Sequence, residues 1–134
     1  MYRYAVLGAG RQGQAIAYDL AINGESDKIY IYDKDIGIAT ESAKRLNNIL
    51  KKEIIYPDQL DVENKVELKL KLKNINTVIS AVPYFLNELV TDIAIVNKYN
   101  LIDLGGNTEI VRNQLLKDSL AKDVGVCITP DCGM

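Results

Sequence analysis

A short apolar run, Tyr2 to Leu7, breaks abruptly into Gly8-Ala9-Gly10-Arg11-Gln12-Gly13 and passes straight into a helical pattern. This junction constrains the fold more than any other stretch. A buried strand can turn directly into a helix only where the backbone is free to bend sharply, and Gly8 permits that tight turn. Gly10 carries no Cβ to keep a ligand away from the peptide N–H groups, and Gly13 lets the helix lie close against the strand. The first turn of a helix leaves N–H groups unpaired and presents the positive end of its dipole, so the junction is shaped for phosphate. Arg11 points out of the turn and can add a cation beside it.

The rest of the chain repeats the same alternation. A helix is expected from Gln12 to Asn23, with Ala15, Ile16, Leu20 and Ala21 as its apolar stripe and Gly24 ending it. Lys28 to Asp33 reads as a second strand, and Ala39, Ala43, Leu46 and Leu50 mark a helical face. A weaker third strand is expected at Gln59 to Val62. Asn76 to Pro83 is a continuous apolar strand of the kind covered on both faces, and Pro83 opens the next helix, whose core side is Leu86, Leu89, Val90, Ile93 and Ala94. A fifth strand, Asn100 to Gly106, precedes a helix capped by Asn107 or Thr108 and running to about Lys122, with Ile110, Val111, Leu115, Leu116 and Leu120 inward. Val124 to Thr129 is the sixth strand. Six strands alternating with helices predict an α/β fold, a doubly wound parallel six-stranded sheet (Rossmann fold) in the order 3-2-1-4-5-6. Val66 to Lys73 alternates like a strand, but the crossover between strands three and four calls for a helix there, and the topology takes precedence. Val62, Val66 and Leu70 can share one face of that helix, and Leu68 and Leu72 another.

In such sheets ligands lie at the carboxyl ends of the strands. Asp33 ends strand two, twenty residues after Gly13, where a carboxylate accepts hydrogen bonds from both ribose hydroxyls of an adenosine and repels a 2′-phosphate. The expected cofactor is therefore NAD, with NADP less favoured; Lys34 is the one group placed to offset that repulsion. The expected cofactor-binding set comprises Gly8, Ala9, Gly10, Arg11, Gln12 and Gly13 in the turn, and Asp33 with Lys34. Asp61 and Val62 follow strand three, and Ala81, Val82 and Pro83 follow strand four. Asp103, Gly105 and Asn107 complete the set after strand five.

Composition removes several other classes. The 134 residues enclose one core, so residues 1–134 are read as a single dinucleotide-binding domain. A net charge of −2 without a clustered Lys/Arg stretch argues against nucleic acid, and no apolar run approaches membrane-span length, which points to the cytoplasm. Cys127 and Cys132 are spaced neither as a zinc site nor as a redox pair. There is no histidine, so any acid or base would have to be Asp, Glu, Lys, Tyr or Cys, and no catalytic or metal-binding residue is assigned.

The segments GAGRQG after strand one, SAVP after strand four, DLGGNTEIV after strand five and TPDCGM at Thr129 to Met134 resemble the amino-terminal domain of the saccharopine dehydrogenase and lysine 6-dehydrogenase family. The resemblance runs from Tyr2 to Met134. It implies NAD- or NADP-dependent oxidation at a carbon–nitrogen bond of an amino acid, a small amino-acid substrate, and a second domain carrying most substrate contacts and a homo-oligomer surface. In the family the PDCG-type turn continues into that domain, so the expectation is a piece that binds NAD without turning over substrate and bares apolar surface near Ile128 and Met134. Asp103, Gly105, Asn107 and Asp131 would line the edge of the substrate cleft. A rival reading is a non-catalytic NAD-sensing regulatory domain of a potassium channel or transporter, which Asp33 and Asp61 also fit; such a sensor has no need of the DLGG and PDCG turns.

Overall fold

The computed structural model describes residues 1–133. Its elements are β1 (Tyr2–Leu7), α1 (Arg11–Asn23), β2 (Ser26–Asp33), α2 (Ile36–Leu50), β3 (Ile55–Gln59), α3 (Lys65–Lys71), β4 (Thr77–Ser80), a short 3-10 turn (Tyr84–Leu86), α4 (Asn87–Asn97), β5 (Asn100–Asp103), α5 (Thr108–Leu115), α6 (Asp118–Val124) and β6 (Ile128–Thr129). The six strands form one parallel sheet in the order β3-β2-β1-β4-β5-β6. This is the expected doubly wound topology.

Strand alternation feeds two separate cores. Ala5 and Leu7 of β1, with Tyr32, Leu68, Leu72, Val78, Val90, Ile93 and Leu101, are buried on the side of α3 and α4. Val6, Ile29 and Ile31 turn the other way onto Ala17 of α1 and Ala39, Ala43 and Leu46 of α2. Register then aligns the strand ends in a row, with Leu7 level with Tyr32 and Ser80, and Ser80 level with Asp103. The site is built along that row.

The segment Val66 to Lys73 is mainly helical as the crossover requires, α3 ending at Lys71, and Asn64 caps it by accepting the Glu67 N–H at 3.1 Å. Of the two expected faces, Leu68 and Leu72 are buried while Val66 and Leu70 face solvent; Val62, expected beside them, precedes α3 and is buried. In α1, Ala17 is buried and Ala15 is exposed, which moves the expected stripe by part of a turn.

Other expectations need larger corrections. Strand three lies at Ile55–Gln59, not Gln59 to Val62. Asn47 decides this, since its side-chain oxygen accepts the N–H groups of Ile54 at 3.2 Å and Ile55 at 3.0 Å, while its amide donates to the Ile55 carbonyl at 2.8 Å. Pro57 is tolerated because β3 is an edge strand. The single helix expected from Asn107 to Lys122 is two, α5 and α6, and Leu115, Leu116 and Leu120 are exposed rather than inward. The buried residues of that segment are Gln114 and Ala121.

Candidate functional site

The glycine turn is held by its neighbours on three sides. Gly8 adopts φ +100°, and its N–H donates to the Tyr32 carbonyl at 2.8 Å. A Cβ there would stand 2.7 Å from the Ala81 carbonyl oxygen, so the loop after β4 passes directly over the turn. Beneath, a Cβ on Gly13 would come within 1.7 Å of the Gly8 carbonyl oxygen, which accounts for the third glycine. Gly10 is the contrast: a Cβ there would meet no atom within 4 Å. Nothing in the fold requires a glycine at Gly10, which has an ordinary φ of −76°. The open space above its backbone is what a pyrophosphate cradle needs.

Ala9, between these glycines, is wholly buried and contributes only its peptide. Its N–H donates to Asp33 Oδ2 at 3.0 Å, while its carbonyl accepts from Gln14 Nε2 at 2.9 Å and Ser42 Oγ at 3.1 Å. Gln14 is itself held by Arg45 of α2. Sequence reading missed Gln14 and Ser42, because polar residues on helix faces carry no motif; only the approach of α1 and α2 to one carbonyl reveals them. The other Asp33 oxygen, Oδ1, accepts the Asp35 N–H at 2.9 Å. Asp35 then caps α2 by accepting the Gly37 N–H at 2.8 Å.

A cleft of about 340 Å³ opens along this edge. Of the expected residues, Gly8, Gly10, Asp33, Lys34, Asp61, Val62 and the run Ala81 to Pro83 line it. Tyr32, Leu60, Glu63, Phe85 and Leu86 also line it, none of which the sequence marked as a cleft residue. Burial, with the nearby Asp58 and Tyr30, holds the Tyr32 phenol neutral well above its ordinary pKa range, and its hydroxyl donates to the Lys71 carbonyl at 3.2 Å. Asp61 folds its carboxylate back to the Glu63 N–H at 3.0 Å, shaping the loop after β3. Arg11 and Gln12 are exposed, and Arg11 lies in a separate groove with Tyr18 and Arg45, away from the cleft.

The residues after β5 are placed differently. Asp103 is completely buried, so it is not a surface onto which a cofactor can lie. Its Oδ1 accepts the N–H groups of Gly105 at 2.8 Å and Asp131 at 3.0 Å, and its Oδ2 accepts Gln114 Nε2 at 2.7 Å. Gly105 is half-buried and Gly106 and Asn107 are exposed along the same strand-end row. Asn107 caps α5 by accepting the Ile110 N–H at 3.1 Å. Ile128 is half-buried against the α3/α4 core, and Met134, the other residue expected to bare apolar surface, lies outside the described residues. No helix among the described residues is long and apolar enough to cross a membrane.

The residues thus fit a dinucleotide along one edge: an open glycine for the pyrophosphate, a tethered carboxylate for a ribose and an apolar recess between the loops after β3 and β4. The fold itself occurs in solved structures. Saccharopine dehydrogenase (L-Glu forming) from Saccharomyces cerevisiae superposes with a TM-score of 0.82 at 20% identity, over 99% of this chain and 27% of that one. Quinate dehydrogenase from Corynebacterium glutamicum, solved with NAD, matches with a TM-score of 0.68 at 19% identity, over 95% of this chain and 43% of its own. Shikimate 5-dehydrogenase from Listeria monocytogenes, solved with shikimate and NAD, gives 0.64 at 18%, over 98% and 46%. The chain therefore spans less than half the length of each. No curated protein matches the sequence. Residues 4–128 match the family described as the saccharopine dehydrogenase NADP binding domain, and the chain belongs to that family.

Proposed function

We propose that this chain is the NAD-binding domain of an oxidoreductase acting at a carbon–nitrogen bond of an amino acid. The observation that carries the reading is the pairing of Gly10, whose missing Cβ faces open space, with Asp33 at the mouth of the same cleft. The backbone at Gly10 and the start of α1 would receive the pyrophosphate. Asp33 would bind the adenosine ribose, and Leu60, Val62 and Leu86 would enclose the adenine. Ala81 to Pro83 would lie under the middle of the dinucleotide, with Gly105 and Asn107 towards its nicotinamide end. When bound, the nicotinamide accepts or donates a hydride.

Asp33 also supports NAD over NADP. Both of its oxygens are tethered to backbone N–H groups, so the carboxylate cannot swing away from an incoming 2′-phosphate. A like-charge contact held in place costs several kcal/mol. Lys34, exposed on the cleft rim, is the only cation lining it among the described residues. Calorimetric titration of the chain with both nucleotides tests the preference. Binding of NAD at least tenfold tighter than NADP is expected, and equal affinity would overturn it.

The chain by itself is proposed to bind without turnover. The strand ends form one wall of a cleft, whereas rate acceleration needs groups held around the reacting carbon and exclusion of water. Incubation with lysine or saccharopine and NAD should yield no NADH; formation of NADH would place the catalytic groups within these residues. The homo-oligomer and the amino-acid substrate belong to the longer protein in this proposal.

A further inference from the structure

We propose that Asp103 is a positioning residue whose buried carboxylate locks the loop after β5 to the loop after β6, and so sets the wall against which the nicotinamide half of the dinucleotide lies. The inference rests on the reading of the cleft as an NAD site.

A carboxylate with no exposed surface is expensive to bury, and none of the ion pairs among the described residues includes Asp103. An apolar residue would serve the core better, so the charge is explained by what it holds. Three N–H donors converge on it, two from backbone and one from Gln114, and only a carboxylate offers acceptors on both oxygens with no donor of its own. The Asp103 carbonyl adds a fourth tie by accepting the Cys132 N–H at 2.8 Å. Gln114 is fixed in turn by donating to Thr91 Oγ1 at 2.9 Å, which anchors the assembly to α4.

What these bonds hold is an unusual backbone. Gly105, Gly106 and Asp131 have φ of +75°, +124° and +62°, and for Asp131 this left-handed conformation is one that few side chains adopt. The two loops touch, since a Cβ on Gly105 would stand 2.0 Å from Asp131 Oδ1. Gly106 abuts the 3-10 turn, where a Cβ would stand 3.1 Å from Tyr84 Cβ, and the next residue, Phe85, lines the cleft. Contact therefore runs from the buried carboxylate through Gly105 and Gly106 to the 3-10 turn that borders the cleft. The sheet order sets which half of the dinucleotide is affected. Asp33 lies on the β2 side of β1 and Asp103 lies beyond β4 on the other, so the two carboxylates govern opposite ends.

The test is titration of the wild-type chain, Asp103→Ala, Asp103→Asn and Gly105→Ala with NAD and with ADP-ribose, which lacks the nicotinamide. Wild type should prefer NAD. That preference should fall about tenfold in Asp103→Ala and in Gly105→Ala, roughly the loss of one hydrogen bond to a charged group, with ADP-ribose affinity held within about twofold. Asp103→Asn keeps an oxygen for both loop N–H groups and should lose less. Equal weakening of both ligands in folded variants would overturn the proposal, as would a wild type that binds ADP-ribose and NAD alike. If circular dichroism shows Asp103→Ala unfolded, Gly105→Ala decides, because it parts the loops without removing the buried charge. A wild type that binds neither ligand would sink the NAD reading instead.

Discussion

The two halves of the sheet organise their strand ends by different means. Around β1, β2 and β3 the core is largely apolar, with Ser26, Ser42 and Asn47 as its buried polar residues, and the glycine turn is held by backbone geometry plus three side chains converging on the Ala9 peptide. Around β5 and β6 a buried polar cluster of Asp103, Gln114 and Thr91 does the holding, while leucines of α5 and α6 face solvent. The glycine turn of the first half is specified by steric fit, its glycines sitting where a side chain has no room or where the backbone faces open space. Asn47 sets the start of β3 by hydrogen bonding. The second half is specified by hydrogen bonding, which a hydrophobic pattern does not describe. The contrast implies that the glycine turn fails through clashes and the second half through unpaired polar groups.

The largest expected effect is Gly13→Ala. A methyl group 1.7 Å from the Gly8 carbonyl oxygen cannot be relieved by a flexible side chain, so α1 must leave the sheet. Overpacking against backbone should exceed about 3 kcal/mol, and the chain should lose its cooperative melt by circular dichroism. A variant that melts like wild type would show that helix and turn are less tightly apposed than described.

Gly10→Ala comes next and separates binding from folding. Its methyl enters open space at an allowed φ, so the melting temperature should hold. NAD affinity should fall about ten- to hundredfold, the cost of forcing a phosphate off the backbone by a methyl group. Retained affinity would remove the pyrophosphate from this turn.

A smaller effect is expected in the other half. Gln114→Leu matches the hydrophobic pattern of its helix better, yet it removes the donor to Asp103 Oδ2. Leaving that oxygen unpaired should cost about 2 kcal/mol, read from the denaturation midpoint. Leu116→Gln, two residues along and 83% exposed, should change stability by less than about 0.5 kcal/mol. If the order were reversed, with Leu116→Gln the more damaging, the polar cluster would not be what holds this half together.

The lining of the candidate cleft was legible where local chemistry and geometry coincide. Gly8, Gly10, Asp33 and the loop from Ala81 to Pro83, which line it, are readable because a residue type is demanded by its own backbone position. Leu60, Phe85 and Leu86 escaped notice because their part in the cleft depends on how two loops approach each other, and no local pattern encodes that distance. Asp103 is legible from its position at a strand end, whereas its complete burial is not.

The sequence by itself determined the strand and helix alternation, hence the parallel sheet and its order, because hydrophobic periodicity and right-handed crossovers leave few alternatives. It also determined the glycine turn, whose steric demands are local. Only the tertiary structure decided which apolar residues are inward on α3, α5 and α6, since a short helix with apolar residues on two faces is oriented by its neighbours. The start of β3 was decided in the same way, by Asn47 reaching across from α2. So was the junction of the two loops on Asp103: three donors from residues up to 28 positions away from it meet there only after the sheet has formed, because hydrogen bonding between distant residues has no period to read.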